Sequence, residues 1–469
     1  MNKLTFLLLT LVCVNLFSQE KQILEPPKVD ERVELLSIVF RLAAVDEYSS
    51  QAFKLYTDKI ENYFGAYKNH ELIEFVRKIH AENGIGYDAV MSMAIYLGKA
   101  PQFKPLVEFS DTIPEKRWGK ENALKFIALL QKFYNDTNCK KFFEENGVLY
   151  KNASAKFIPV YNHLDLKWYQ NFYGKNPSEK FVIVNGLGNG PGNYGPSIVL
   201  HDGKKEVYAI MGAWSVDSTG MVKFNINGYF PTLLHEFNHS FVNYLTVQNS
   251  KNLEESGKKI YAVVAENMRS QAYGNWKTMI NESIVRAGVI KYMRDHNYDK
   301  KQIEIEMSEQ LTRGFLWINE LCDELDKYDQ QRDQYPTLES YMPTLIKAFS
   351  NYAENIKAYE SRFDERRPNV LSISEFKNND QNVNSEIKAI TINFDKPLSG
   401  RGFSIRYGSS GKTTFPKIGE LKYSEDKKTV FVHVELEKDK EFQFVLFGKY
   451  FRTADGIPMK EYEINFKTK

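Results

Sequence analysis

The spacing of apolar residues changes three times along these 469 residues, so no single-class fold can accommodate the chain. "VELLSIVFRLAA", "HELIEFVRKIH", "YDAVMSMAIYL" and "ENALKFIALLQKFYND" repeat apolar residues at helical spacing, which predicts an all-helical N-terminal region over 26–155. From about Lys156, "AKFIPVY", "EKFVIVNGL", "PSIVLHDGKKEVYAIMGAW" and "GMVKFNING" alternate apolar and polar residues between Asn-Gly and Asp-Gly turns, the pattern of strands and hairpins. Helical spacing returns from Pro231 to about Tyr359. Past the charged "ESRFDERRPN", short strands recur roughly every ten residues, which predicts a β-sandwich over 366–469. The expected fold class is α+β, and a chain this long needs more than one core.

"MNKLTFLLLTLVCVNLFSQEKQ" has the layout of a secretory signal peptide, expected over 1–19, with an apolar run too short to span a bilayer. No later stretch is long and apolar enough for a membrane span, so an exported protein is expected, periplasmic or extracellular. A formal net charge of +2 supplies no long-range field and argues neither for nor against nucleic acid; no nucleic-acid partner is expected. Removing Cys13 with the signal leaves Cys139 and Cys322, both expected as buried packing residues. "NGLGNGPGNYG" has G-x-G-x-G spacing, but a proline interrupts it and no helix opens directly after it. It is expected to be a long mobile loop beside a sheet edge.

One stretch carries chemistry: "NGYFPTLLHEFNHSFVNYL", residues 227–245. Pro231 suits a first helical position, and His235 and His239, four apart, share one helix face. Two imidazoles so placed can converge on one ion, while Glu236 reaches a water on it without ligating. The competing reading is a pair of hydrogen-bonded histidines on a core helix. Leu233, Leu234, Phe237, Phe241 and Val242 make this helix apolar nearly all round, and a buried carboxylate there needs a partner or a metal. Asn238 is expected to bond to nearby backbone. A third ligand is expected at Glu282, the single carboxylate of the apolar "WKTMINESIVRAGVIKYM". Arg286, one turn on, could instead pair with it in a metal-free salt bridge. Glu266 is the alternative ligand, and His201 is expected on an exposed hairpin turn. His70 and His80 are expected in exposed or capping roles. Tyr273, in "SQAYGNW", is the first candidate to donate to a developing oxyanion, ahead of Tyr194 in the glycine-rich loop.

"HEFNHSFVN" followed by "AYGNWKTMINESIVRA" resembles the gluzincin arrangement of zinc metallopeptidases, with two His on one helix and Glu on the next. The region from "RVELLSIVFRLAAVDEYS" to "YPTLESYMP" resembles a family of exported bacterial proteins known as a domain of unknown function, DUF4932-like. The resemblance implies His235, His239 and Glu282 as ligands of one zinc ion per chain and Glu236 as general base, within a zincin-like catalytic region over 156–365. Where well-studied gluzincins often carry an acidic residue to orient the first histidine, Arg286 stands here. "ITINFDKPLSGRGFSIRY" and "ADGIPMKEYEINFKT" are similar to bacterial Ig-like modules of the SbsA type, which implies spacing or adhesion through cell-surface or glycan contact. The expectation is a secreted zinc-dependent hydrolase, acting as a peptidase on a peptide or protein substrate. The alternative is an exported surface binding or adhesion protein whose zinc site is structural or vestigial.

Overall fold

The computed structural model describes residues 24–176 and 179–469; the expected signal peptide lies outside them. The architecture is mixed α+β, helical at the N-terminal end and β-rich at the C-terminal end. Two compact units divide the described residues, one of residues 24–161 with 179–226 and one of 162–176 with 227–469. Among the described residues no helix is long and apolar enough to cross a membrane.

The first unit begins with α1 (Glu31–Leu42), α2 (Lys54–Phe64), α3 (Glu71–Asn83), α4 (Asp88–Tyr96), α5 (Gly119–Asp136), α6 (Cys139–Glu145) and α7 (Gly147–Tyr161). Their ends follow from local chemistry. Asp30 accepts from the N–H of Arg32 to start α1, and His70 Nδ1 accepts from Leu72 N to start α3. Helix α1 is buried along most of its length, and Phe40 packs beside Tyr48, Trp118 and Phe126. The unit closes with a small mixed sheet in the order β1 (Lys180–Gly186), β3 (Lys205–Gly212), β2 (Ser197–Val199). Strands β1 and β3 run parallel, and β2 is antiparallel on the edge.

Three expectations change here. "AKFIPVY" continues α7 instead of forming a strand, because Phe157 and Val160 bury one helical face and Phe157 meets Phe224 edge-on. "GMVKFNING" makes only the single bridge Val216–Val222 before a helix opens at Ile226. The first part of the glycine-rich segment is packed, while Pro191 and Gly195 are exposed. Residues 185–190 are buried, and the N–H groups of Leu187 and Gly188 donate to the two carboxyl oxygens of Glu34 at 2.6 and 3.0 Å.

The second unit contains α8 (Leu166–Tyr173), α9 (Ile226–Gln248), α10 (Ser250–Arg269), α11 (Trp276–Asp295), α12 (Lys300–Thr312), α13 (Ile318–Gln330) and α14 (Leu338–Arg366). Helix α8 is an aromatic wedge. Tyr169 lies 4.5 Å from Phe237, Tyr173 stacks 4.4 Å from Phe241, and Trp168 meets Tyr292 edge-on at 4.9 Å. The wedge thereby joins α9 to α11. Beyond α14 lie β4 (Val370–Ile373), β5 (Ala389–Phe394), β6 (Ile405–Arg406), β7 (Lys417–Tyr423), β8 (Thr429–Glu435), β9 (Glu441–Leu446) and β10 (Tyr462–Lys467). They form two antiparallel sheets, β4-β5-β8-β7 and β10-β9-β6. Alternate residues of β5 and β8 point inward to Phe442, Phe444, Ile464 and Phe466 of the other sheet, so both sheets feed one apolar core.

Candidate metal centre

Helix α9 begins at Ile226, so Pro231 lies inside it and not at its first position. The extra turn ahead of the proline buries Tyr229 and Phe230, and Phe230 meets Tyr292 of α11 at 5.6 Å. Leu233, Leu234, Phe237, Phe241 and Val242 are all buried, which leaves His235, Glu236 and His239 on the part of α9 that still reaches solvent. Two contacts bring α11 alongside. Asn238 Nδ2 donates to the carbonyl of Val285 at 2.9 Å, as expected of it. Gly288 lets the helices close: a Cβ there would lie 2.8 Å from Tyr173 Oη and 2.9 Å from Asn238 Nδ2.

The two imidazoles converge. Their Nε2 atoms are 3.2 Å apart, with ring planes at 89°. Glu282 projects from α11 between them, Oε2 at 3.5 Å from His235 Nε2 and Oε1 at 3.5 Å from His239 Nε2. One ligand atom from each of the three residues lies within 4.8 Å of the others. His235, His239 and Glu282 therefore form a cluster capable of coordinating a metal ion.

The protonation states suit that task. Burial, reinforced by the nearby Arg286 charge, pushes His235 well below the ordinary histidine range and keeps the ring neutral, as a metal ligand must be. His239 Nδ1 lies 2.9 Å from Asn243 Oδ1, an acceptor, so Nδ1 carries the proton and Nε2 presents its lone pair. Glu236 feels His239, Glu282 and Arg286, and burial raises its carboxyl above the usual range, which makes it readier to take up a proton.

Glu282 has a second set of partners. Tyr273 Oη donates to its Oε2 at 2.9 Å, and Arg286 Nη2 donates to the same oxygen at 3.1 Å. Arg286 Nη2 also donates to Tyr273 Oη at 2.7 Å, while Nη1 donates to Gln310 Oε1 at 3.0 Å. The Arg286–Glu282 ion pair foreseen from the one-turn spacing is thus present, together with the two histidines and not in place of them. Burial and the Glu282 charge raise the Tyr273 hydroxyl to about 12 despite the opposing pull of Arg286, so it remains a hydrogen-bond donor.

The other residues weighed from the sequence fall elsewhere. Glu266 is exposed on α10, and His201 is exposed in the turn before β3. Tyr194 belongs to the first unit, where its backbone bridges Ile210. His70 caps α3, and His80 Nδ1 donates to the carbonyl of Ile85 at 2.9 Å. Cys139 and Cys322 are free and buried. Sequence reasoning missed Asn243, although it stands one turn beyond His239 and so shares its face. It also missed Gln310, which reaches Arg286 from α12 by tertiary packing alone.

An α+β chain with a candidate His/His/Glu metal centre is the class that fold and site define. The chain belongs to the family described as a domain of unknown function, DUF4932, whose profile matches residues 26–348. No curated protein matches it. Among solved structures, domains 1-6 of the surface layer protein SbsC match at 15% identity, covering 52% of this chain and 33% of that one, with a TM-score of 0.17. The N-terminal part of the same bacterial S-layer protein matches at 15% identity, covering 51% of this chain and 58% of that one, with a TM-score of 0.16. The chain spans about a third of the length of the first of these, and likeness at such scores establishes neither a shared fold nor a shared role.

Proposed function

We propose that His235, His239 and Glu282 hold one zinc ion and that the protein is an exported zinc-dependent hydrolase, most simply a peptidase. The observation that carries this reading is the convergence of three ligand atoms within 4.8 Å on a face that keeps Glu236 and both histidines partly open to solvent. The donor set fits the ion: two imidazoles and one carboxylate are ligands that would hold it. Zinc bound there supplies Lewis acidity, bringing the ionisation of water near neutral pH. The chain's own groups do the rest. Glu236 takes the proton from the attacking water and passes it to the leaving group. Tyr273 is the donor proposed for charge developing on the attacked carbonyl oxygen, and for that its single hydroxyl proton has to turn away from Glu282 Oε2. Glu236→Gln should retain zinc and lower hydrolysis of a peptide library by about 10²–10⁴-fold. Unchanged turnover in that variant would remove Glu236 from the role of base.

The second reading is an exported surface binding or adhesion protein in which the metal is structural or the site vestigial. The grip of Tyr273 and Arg286 on Glu282 favours it, because those two donors already engage Oε2 of the carboxylate. Zinc binding by the native chain, without cleavage of any member of the library, would select this reading.

A further inference from the structure

We propose that a second site, in the C-terminal part of the second unit, binds a phosphate or sulfate oxyanion, free or esterified on a larger molecule. A cavity of about 430 Å³ opens there among Arg367, Lys449, Arg452, Lys460 and Glu461. Four cationic side chains face one carboxylate across it. That carboxylate is engaged already, because Glu461 accepts from Arg406. Asp364 takes Lys460 at 2.7 Å and lies 3.1 Å from Arg367 Nε. Lys449 and Arg452 are left without a carboxylate partner among the described residues; the Nε of Arg452 donates to the backbone carbonyl of Lys449. The guanidinium of Arg367 lies 4.8 Å over the Phe363 ring, donating to the carbonyl of Pro458 at 3.4 Å.

Two held guanidinium groups and an unpaired ammonium around one concavity make a receptor for tetrahedral oxyanions, since a guanidinium offers paired N–H groups in a fork. The cavity falls within the range of small-molecule sites and exceeds what a single oxyanion fills, leaving room for the body of an ester. The site uses none of the residues of the metal centre, so it stands or falls independently of the hydrolytic proposal.

The test is calorimetric titration of the full chain with two probes, inorganic pyrophosphate for the free anion and a heparin oligosaccharide for the esterified one. At least one should bind, more weakly as salt is raised, and Lys449→Gln with Arg452→Gln should lower its affinity about tenfold or more. Binding of pyrophosphate alone assigns a free anion, and binding of the oligosaccharide alone assigns a sulfated polymer. Lys449 is exposed, so Lys449→Glu alone should weaken the bound probe severalfold without shifting the thermal midpoint. The proposal is overturned if neither probe binds, or if binding survives Lys449→Glu unchanged.

Discussion

Glu282 stands between two histidines and an arginine, and the division of its two oxygens decides what the centre can hold. Oε2 takes Tyr273 and Arg286, while Oε1 faces His239. A carboxylate clamped on one oxygen is preorganised to offer the other. Asn243 acts similarly on His239, holding the proton on Nδ1. Asn243→Ala should therefore weaken zinc binding about 10–100-fold, measured by competition with a chelator, while leaving the fold intact. Equal affinity in the variant would mean that the tautomer is set otherwise. The convergence of His235 and His239 is legible in the sequence because four-residue spacing on a helix is a fixed geometry. Glu282 was legible because it was the lone carboxylate of an apolar helix. The simultaneous grip of Arg286 and Tyr273 was not, since spacing foretells which side chains share a face but not how one carboxylate divides its oxygens.

Helices α9 and α11 meet where a residue without a side chain permits it. Gly288→Ala would place a methyl 2.8–2.9 Å from Tyr173 Oη and Asn238 Nδ2. It should destabilise the second unit by about 1–3 kcal/mol and loosen zinc binding, both followed by denaturant unfolding with and without metal. In the first unit, burial pushes Glu34 up to about 7 although Leu187 and Gly188 donate to it. A carboxyl raised in the fold binds protons that the unfolded chain does not. Its stabilisation is complete below the unfolded value near 4.5 and is lost as pH rises through about 7. Unfolding at pH 5 and pH 8 should show the first unit losing up to about 3 kcal/mol of stability over that span, with Glu34→Gln flattening the profile. A flat wild-type profile would contradict the burial account. Strand and helix types near this loop were only partly legible. "AKFIPVY" satisfies an alternating and a helical pattern at once, and the contact with Phe224 that selects the helix is invisible in local spacing.

Across the whole molecule, the described chain passes between its two units after residues 161, 176 and 226. The changes in apolar period are visible in the sequence, but the partners that draw α8 onto α9 and α11 are not. Those partners are aromatic rings far along the chain: Phe237, Phe241 and Tyr292. The β-rich C-terminal part was clearer, because strands of alternating burial repeat between short turns. The proposed chemistry turns on one ion. Metal analysis of the purified full chain, beside His235→Ala and Glu282→Gln, tests it most directly. About one zinc per native chain, absent from both variants, is the predicted result. Native protein holding no more zinc than either variant would contradict the centre and the hydrolytic chemistry built on it.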